Sequence, residues 1–184
     1  ARLWQGVREL GYCSVFLRMH PLLTAAHDGF GAAALQPTGE VVVIDLSRSD
    51  DELWQGVRKE NRRVIRRSRE AGMAVEIGSS TGAQLQELTD IYFETMRRVD
   101  ATPFYFTFDH GYFSALGAEL GDDLALSTTS LGSTLLSASL WSRAGGIVQA
   151  LLGGTRTGAL RMQPNVLETY EAMLWHREAG ATVM

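Results

Sequence analysis

The sequence has little of what disulfides, metal sites and membrane spans require. It contains one cysteine among 184 residues, which excludes a disulfide within the chain. Four scattered histidines and the lone cysteine offer no metal-ligand spacing and no nucleophile, histidine and acid arrangement. No apolar run approaches the roughly 20 residues needed to span a bilayer, and the first residues lack a signal peptide's layout. We therefore expect a cytoplasmic protein with no metal ion and no membrane span.

The composition is that of a globular chain. Apolar residues make up 45% and charged residues 21%, which suits one domain, or one domain and part of a second. The chain does not begin with methionine and ends on the apolar stretch GATVM, so we expect a segment of a longer protein. Cys13 lies in the apolar run YCSVFL, where we expect a buried and unreactive thiol.

Positive charge is concentrated in one short segment. The chain has 17 Lys and Arg residues and a net charge of −4, yet seven of those bases lie between Arg58 and Arg69 beside a single acid. That stretch carries +6, which leaves −10 for the rest of the chain. On a helical wheel its bases cover one face, while Leu53, Val57 and Ile65 lie on the other. The segment therefore predicts an amphipathic helix with a cationic outer face.

Strand and helix patterns alternate along the chain. Runs rich in β-branched and aromatic residues between turn signals predict strands at 12–19, 40–46, 73–78, 123–129, 134–143 and 146–154, with one more beginning at 181. Apolar residues at helical spacing predict helices at 81–100 and 109–121. This order predicts a mixed α/β fold in which helices flank a central sheet.

Capping residues mark the ends of the basic helix. Ser49 with Glu52 three positions later has the spacing of a capping box, and Gly72 is a typical terminating residue. We therefore predict one continuous helix over 50–71.

A last helix is predicted from PNVLETYEAMLWHREAG. Asn165 is its expected N-cap, Glu168 stands at the capping-box position, and Gly180 follows the last turn. His176 lies off the apolar stripe of this helix, so we expect it at the surface.

Several of these segments resemble one enzyme class in order and spacing. VVVIDLSRSDDELWQGVRKENRRVIRRSREAGMAVEI, QELTDIYFETMRRVDA, HGYFSAL and QPNVLETYEAMLWHREAGATVM are similar to the Fem-type peptidoglycan aminoacyltransferases and their GNAT-fold relatives. The resemblance implies a GNAT-like α/β fold and two such units packed across a cleft. Residues 1–72, with the basic helix 50–71, would be the tail of the first unit. Residues 73–184 would be most of the second, without its final strand and helix.

The resemblance also implies where acyl transfer occurs. Such a reaction needs an N–H donor for the carbonyl oxygen, an anion site for donor phosphates and a neutral amine. In GNAT folds the carbonyl donor is the backbone of a splayed strand, and phosphates lie at the start of the next helix. Here the strand would be IVQALLGG, with Gly153 and Gly154 allowing close approach of the backbone, and the helix would start at Asn165.

The donor is left open between two co-substrates. Coenzyme-A-dependent relatives have a Gln/Arg-x-x-Gly-x-Gly/Ala loop, whereas in this chain Gly158 follows Arg156 by only two positions and Pro164 removes an N–H. The spacing favours aminoacyl-tRNA, the donor of the Fem-type enzymes, over acyl-coenzyme A. An acetyl-coenzyme-A-dependent N-acetyltransferase is the alternative.

The acceptor implied by the resemblance is an amine, such as that of a peptidoglycan precursor. Tyr112 matches a tyrosine of the Fem-type cleft, and Arg18 and Tyr105 are further candidates for binding the acceptor. The chain departs from the family pattern because no basic residue lies between Arg98 and Arg143, where an arginine is typical.

The basic helix has three interpretations. It is a solvated surface, a phosphate-binding face formed by Arg62, Arg63, Arg66 and Arg67, or the contact surface of a non-catalytic nucleic-acid-binding module. Acidic charge elsewhere opposes the third. We expect a Fem-like acyl or aminoacyl transferase in which the arginines face the phosphates of a tRNA or of another ligand.

Overall fold

Two units divide the chain in the computed structural model, which describes residues 2–16, 19–23, 36, 39–79 and 82–184. They are Ala1–Val42 and Val43–Met184. The first contains helix α1 (Arg2–Glu9). The predicted strand at 12–19 is wrong for its described residues, 12–16 and 19, which have no regular structure. Cys13 is exposed rather than buried because no strand forms there to cover it.

The second unit is built on a four-stranded antiparallel sheet. Its strands are β1 (Met73–Gly78), β2 (Leu124–Leu131), β3 (Thr134–Ala144) and β4 (Ile147–Thr155), and they pair in the order β1-β2-β3-β4. Gly132 and Gly146 take φ angles of +58° and +81° in the two hairpin turns, a conformation that glycine adopts without strain. These four strands confirm the predicted ones.

Five helices flank the sheet. They are α2 (Asp50–Gly56), α3 (Lys59–Glu70), α4 (Gly82–Arg98), α5 (His110–Leu120) and α6 (Pro164–Glu178), with 3₁₀ helices at Pro103–Thr107 and Thr157–Met162. Asp109 caps α5 by accepting the Tyr112 N–H at 2.9 Å. No helix in the described part of the chain is long and apolar enough to cross a membrane.

The predicted helix over 50–71 is two helices. Its capping box is confirmed, since Ser49 accepts the Glu52 N–H at 3.4 Å and Glu52 accepts the Ser49 N–H at 2.9 Å. Val57 and Arg58, however, have extended ψ angles of 131° and 144° and separate α2 from α3. Gly72 ends α3 with φ of +80°, as predicted.

The predicted strands at 40–46 and 181–184 are reduced to single bridges. Val183 pairs with Asp45 in antiparallel orientation and with Ile147 in parallel orientation. Ile44 and Met184 exchange two backbone hydrogen bonds, of 2.7 and 3.0 Å. The segment 182–184 therefore lies beside the start of β4.

Each face of the sheet is covered by helices. On one face, α2, α3 and α6 share a core that includes Leu53, Ile65, Leu167 and Met173. On the other, α4 and α5 share a core of Leu88, Ile91, Phe113, Leu126 and Leu140. Helix α3 packs on α6 and β1 within the second unit. The assignment of residues 1–72 and 73–184 to two GNAT-like units stays a prediction.

Candidate active site

β4 is an edge strand of the sheet and has a β-bulge in its middle. It pairs with β3 along one edge, and among the described strands no other pairs with it beyond a bridge at its first residue. The register passes from Leu140↔Leu152 to Trp141↔Ala150, so Leu151 is an extra residue without a partner on β3. Leu151 is also 38% exposed. Bulges leave backbone groups unpaired and occur beside active sites. The middle of β4 is therefore irregular and partly exposed, which the sequence pattern alone does not indicate.

Gly153 and Gly154 lie near the end of β4, and their backbones pack tightly against neighbouring elements. A Cβ atom at Gly153 would lie 2.5 Å from Oγ of Ser139 on β3. At Gly154 it would lie 2.5 Å from Oγ1 of Thr95 and 2.9 Å from the backbone oxygen of Ile91, both on α4. The close contacts at these glycines are with β3 and α4 of the protein itself, and a close approach of their backbone to an acyl group stays a prediction. Polarisation of an acyl carbonyl by these glycines stays a prediction.

Groups of α4 hold the loop that follows β4. Glu94 accepts the backbone N–H of Thr157 at 2.5 Å and pairs with Arg156 at 3.2 Å. Its pKa is lowered to about 2, chiefly by hydrogen bonds from Thr157. Arg98 donates to the backbone oxygen of Thr155 at 3.0 Å and to Oγ1 of Thr157 at 3.2 Å. One amide of the loop that the resemblance assigns to donor phosphates is thus occupied by a carboxylate of the protein.

The start of α6 differs from the predicted cap. Gln163 is the N-cap, with φ of +54° and no side-chain hydrogen bond, and Pro164 occupies the first turn. Proline suits this position because its fixed φ is helical and its missing N–H has no partner there. Asn165 is therefore inside the first turn, where it is exposed. Its predicted role at a phosphate stays untested, while its assignment as the N-cap is wrong.

Glu168 is not a capping residue but the centre of a buried polar cluster. It is 0% exposed and faces the sheet, where it accepts hydrogen bonds from Ser127 at 2.6 Å, from Ser137, and from Thr129 at 3.4 Å. The indole N–H of Trp141 donates to Ser127 at 2.8 Å. Burial raises the pKa of Glu168, and the surrounding hydroxyls oppose that effect.

His176 lies two turns further along α6 and is also buried. It is 0% exposed, contrary to the predicted surface position, and its ring packs edge-on against Trp141 and Trp175 at centroid distances of 5.8 and 4.9 Å. Neither ring nitrogen has a hydrogen-bond partner among the described residues. Burial, followed by the charge of Arg143, lowers the pKa of His176 to about 4. The imidazole is therefore neutral at pH 7.

Arg62 of the basic helix has a structural role. Its Nη1 donates to the backbone oxygens of Trp54, Gln55 and Val57 at 3.3, 3.0 and 2.7 Å. These carbonyls lie at the end of α2, where a helix leaves its last carbonyls without partners in the next turn. The Trp54 oxygen also accepts the Val57 N–H at 3.2 Å. Arg62 therefore closes the break between α2 and α3, and its guanidinium is already engaged before any ligand binds.

The other bases of α3 differ in how far they are engaged. Arg66 lies over the Trp54 ring at 5.4 Å, and Arg69 forms an ion pair with an acid of α6. Arg63 and Arg67 are exposed and form no hydrogen bond or ion pair within the described residues. An open depression of about 450 Å³ runs along this face, lined by Lys59, Glu60, Arg62, Arg63 and Arg66.

The predicted tyrosines meet around Phe108. Its ring centroid is 6.4 Å from that of Tyr105 and 4.8 Å from that of Tyr112. Tyr105 is 46% exposed and Tyr112 41%, and Phe104 beside them is 64% exposed. Together they form an aromatic patch between α4 and α5.

The structure does not gather all the predicted residues into one site. The basic helix packs with α6 on one face of the sheet, and the aromatic patch belongs to the α4 and α5 face. The glycines of β4 and the start of α6 are joined by the short loop at residues 155–163. Arg18, predicted to bind the acceptor, lies outside the described residues.

Comparison with known proteins supports the resemblance seen in the sequence. A family profile described as an acetyltransferase (GNAT) domain matches residues 55–184. No curated protein matches the chain. None of the comparisons supports aminoacyl-tRNA as the donor.

Among solved structures, FemX has 18% identity and a TM-score of 0.67 over 77% of this chain and 50% of that one. The C-terminal domain of a protein described as a lysylphosphatidylglycerol synthetase, from Agrobacterium fabrum, has 15% identity and a TM-score of 0.63 over 98% and 57%. L-PGS from Bacillus licheniformis has 14% identity and a TM-score of 0.54 over 77% and 43%. The chain thus spans about half the length of these proteins, and the likeness shows a shared fold.

Proposed function

Because the chain belongs to the acetyltransferase (GNAT) domain family, we propose that it transfers an acyl group to an amine at the outer edge of β4. The observation that carries this proposal is the bulge at Leu151, an exposed residue with no partner on β3. In this proposal the Leu151 N–H donates a hydrogen bond to the acyl carbonyl oxygen as negative charge develops on that oxygen, and a fixed donor needs no reorganisation when the reaction occurs.

The acceptor class follows from the Fem-like fold. FemX and the lysylphosphatidylglycerol synthetase domain share most of the fold with this chain. We infer that the acceptor is an amine of a larger polar molecule, of which a peptidoglycan precursor is one example. Tyr105 and Tyr112 offer exposed rings with hydroxyls for such a ligand. Arg18 is the third proposed acceptor-binding residue.

We propose only that the donor carries an activated acyl group. Acyl-coenzyme A is favoured by the family description, an acetyltransferase domain. The loop after β4 argues against tight coenzyme A binding, because Glu94 already occupies the Thr157 N–H. A carboxylate at this position also repels an incoming pyrophosphate. An acetyl-coenzyme-A-dependent N-acetyltransferase therefore remains the second candidate, and we expect it to bind coenzyme A weakly.

We propose that α3 binds the anionic groups of the donor or of the acceptor. Arg63 and Arg67 are exposed and unengaged within the described residues, and Arg66 stands beside them over Trp54. Three bases on one helix face attract phosphates from a distance, and they do so less as salt rises. Arg62 contributes charge but not a free guanidinium.

The test is acyl transfer by the purified chain with a panel of acyl-coenzyme A and aminoacyl-tRNA donors and amine acceptors. Leu151→Pro removes the bulge N–H, and Leu151→Ala keeps it. We expect the proline variant to lose about 100-fold or more in kcat and the alanine variant far less. Equal rates for the two variants would contradict the assigned amide. Absence of transfer with every donor would contradict the proposed function.

A further inference from the structure

Polar side chains of α4 fasten the loop that leaves β4. Thr95 Oγ1 accepts the Thr155 N–H at 3.3 Å. Arg98 donates to the Thr155 oxygen at 3.0 Å and to Oγ1 of Thr157 at 3.2 Å. Glu94 accepts the Thr157 N–H at 2.5 Å. Because all these side chains belong to little more than one turn of the same helix, α4 fixes the position of the loop backbone.

Holding the loop does not require the negative charge of Glu94. A glutamine at this position would accept the same Thr157 N–H through its amide oxygen. The ion pair of Glu94 with Arg156 joins side chains that are 31% and 35% exposed, respectively, and exposed pairs add little to stability. The contacts from Thr95 and Arg98 would remain. The charge of Glu94 is therefore a candidate for a role in binding rather than in folding.

This charge is permanent and lies where a ligand can reach it. Hydrogen bonds from Thr157 are the chief cause that lowers the pKa of Glu94 to about 2, so the carboxylate is ionised at neutral pH. Thr157 and Gly158 are exposed, and a Cβ added at Gly158 would meet nothing within 4 Å. The outer side of the loop is therefore open, and a fixed negative charge lies beside it.

Positive charge near the loop is already engaged by groups of the protein. Arg156 is paired with Glu94 at 3.2 Å, and the guanidinium of Arg98 donates to oxygens of three threonines. An anionic group of a ligand at the Thr157 N–H would have to displace the Glu94 carboxylate, or share the amide with it at a distance where like charges repel strongly. The loop therefore favours an uncharged group of a ligand over an anionic one.

We propose that Glu94 is a specificity-determining residue that selects the acyl donor by charge. This inference rests on the proposed acyl transfer at β4. The donor class that Glu94 admits carries its acyl group on an arm that is uncharged where it passes the loop, such as a pantetheine-type thioester. A donor that places a diphosphate against the Thr157 N–H is disfavoured. The diphosphate of coenzyme A therefore adds nothing to binding as long as Glu94 is present.

The experiment compares kcat/KM for acetyl-coenzyme A, acetyl-dephospho-coenzyme A and acetylpantetheine, which share one thioester and one arm. In the wild type the ratio of either diphosphate donor to acetylpantetheine should be about 1 or lower. Glu94→Gln, which removes the charge and keeps the hydrogen-bond acceptor, should raise both ratios about tenfold. Glu94→Ala should raise them further, because it also frees the Thr157 N–H. Equal ratios in the wild type and both variants would overturn the inference.

Glu87→Gln is the matched control. Glu87 is exposed on the same face of α4, about two turns or about 10 Å before Glu94, and its replacement changes the net charge by the same amount. The ratios should stay at their wild-type values in this variant. A rise equal to that in Glu94→Gln would trace the effect to net charge and contradict the role of Glu94. A merely structural role for Glu94 would change kcat/KM for all three donors alike, which would contradict it too.

A second readout does not depend on activity. The backbone amide resonance of Thr157 is followed by NMR while coenzyme A is added, which distinguishes binding at the loop from binding at α3. The resonance should stay in place in the wild type and shift with saturation in Glu94→Ala. A wild-type resonance that shifts at micromolar coenzyme A would overturn this inference alone. Inactivity of the wild type with every donor would overturn the proposed function, and the Thr157 resonance would still decide whether Glu94 excludes the diphosphate.

Discussion

The two faces of the sheet are made from alternate residues of the same strands, yet they differ in chemistry. Toward α4 and α5 the strands present apolar side chains, among them Leu124, Leu126, Ala138 and Leu140. Toward α6 the central strands present hydroxyls around a carboxyl group, namely Ser127, Thr129, Ser137 and Glu168. Both faces gain stability from an apolar core, but the second also keeps polar groups that cost free energy to bury. The α6 face therefore carries a cost in stability that the other face does not.

The apolar face should give the largest effect on stability. Phe113 is 0% exposed, with its ring against those of Tyr92 at 5.8 Å and Tyr112 at 5.5 Å. Phe113→Ala should lower the free energy of unfolding by about 3–5 kcal/mol, measured by urea denaturation, because it leaves a cavity. Tyr112→Ala, at a position 41% exposed, should cost less than half as much. Equal losses of unfolding free energy in the two variants would mean that the core does not extend as far as Phe113.

The polar face should give a dependence on pH. Burial lowers the pKa of His176 from 6.5 to about 4, so between these values the unfolded chain binds a proton that the folded protein does not. The contribution of His176 to the free energy of unfolding should be complete above pH 6.5. It should fall by about 3 kcal/mol as the pH falls to 4. Urea denaturation across this range measures the effect. His176→Phe should remove it, and an unchanged slope in that variant would refute the assignment.

Glu168 acts in the opposite direction on the same face. Because its folded pKa is raised, its contribution to stability is present below the unfolded value of 4.5 and is lost as the pH rises through the folded value. The double variant with Glu168→Gln separates this contribution from that of His176.

The smallest effects should come from α3, where one arginine differs from its neighbours. Arg62→Gln removes three hydrogen bonds to the end of α2 and should cost about 1–2 kcal/mol. The double change Arg63→Gln and Arg67→Gln should alter stability by less than about 0.5 kcal/mol. Affinity for an RNA oligonucleotide should nevertheless fall in the double variant, with a shallower salt dependence. Unchanged affinity would remove α3 from the proposed phosphate-binding surface.

Regular patterns predicted most of the fold. β1 to β4 are runs bounded by turn residues, and α4 and α5 have helical spacing, so both kinds of element were predictable. The break at Val57 and Arg58 was not, because it depends on Arg62 supplying partners for carbonyls five to eight positions earlier. A helix wheel does not contain that information.

The candidate site was only partly predictable. Asn165 and Glu168 fit a capping box by spacing, and only the position of α6 on the sheet shows that Glu168 turns inward. His176 was assigned to the surface because it lies off the apolar stripe of α6, whereas Trp141 and Trp175 pack against its ring. The serines and threonines at alternate positions of β2 and β3 were the available signal for a polar face. The bulge at Leu151 has no signature in the sequence, since it arises from the register between two strands.

The pairing of Ile44 with Met184 has a consequence for how the chain folds. Each strand of the sheet pairs with its neighbour in sequence, and β2, β3 and β4 are joined by tight hairpins, whereas the pairing of Ile44 with Met184 joins residues 140 positions apart. Closing so long a loop costs conformational entropy before any contact repays it, which slows the step. During synthesis, residues 43–46 must also wait until the last strand partner has been made. The segment 43–46 should therefore acquire its protection from hydrogen exchange last, after the sheet it joins is already assembled.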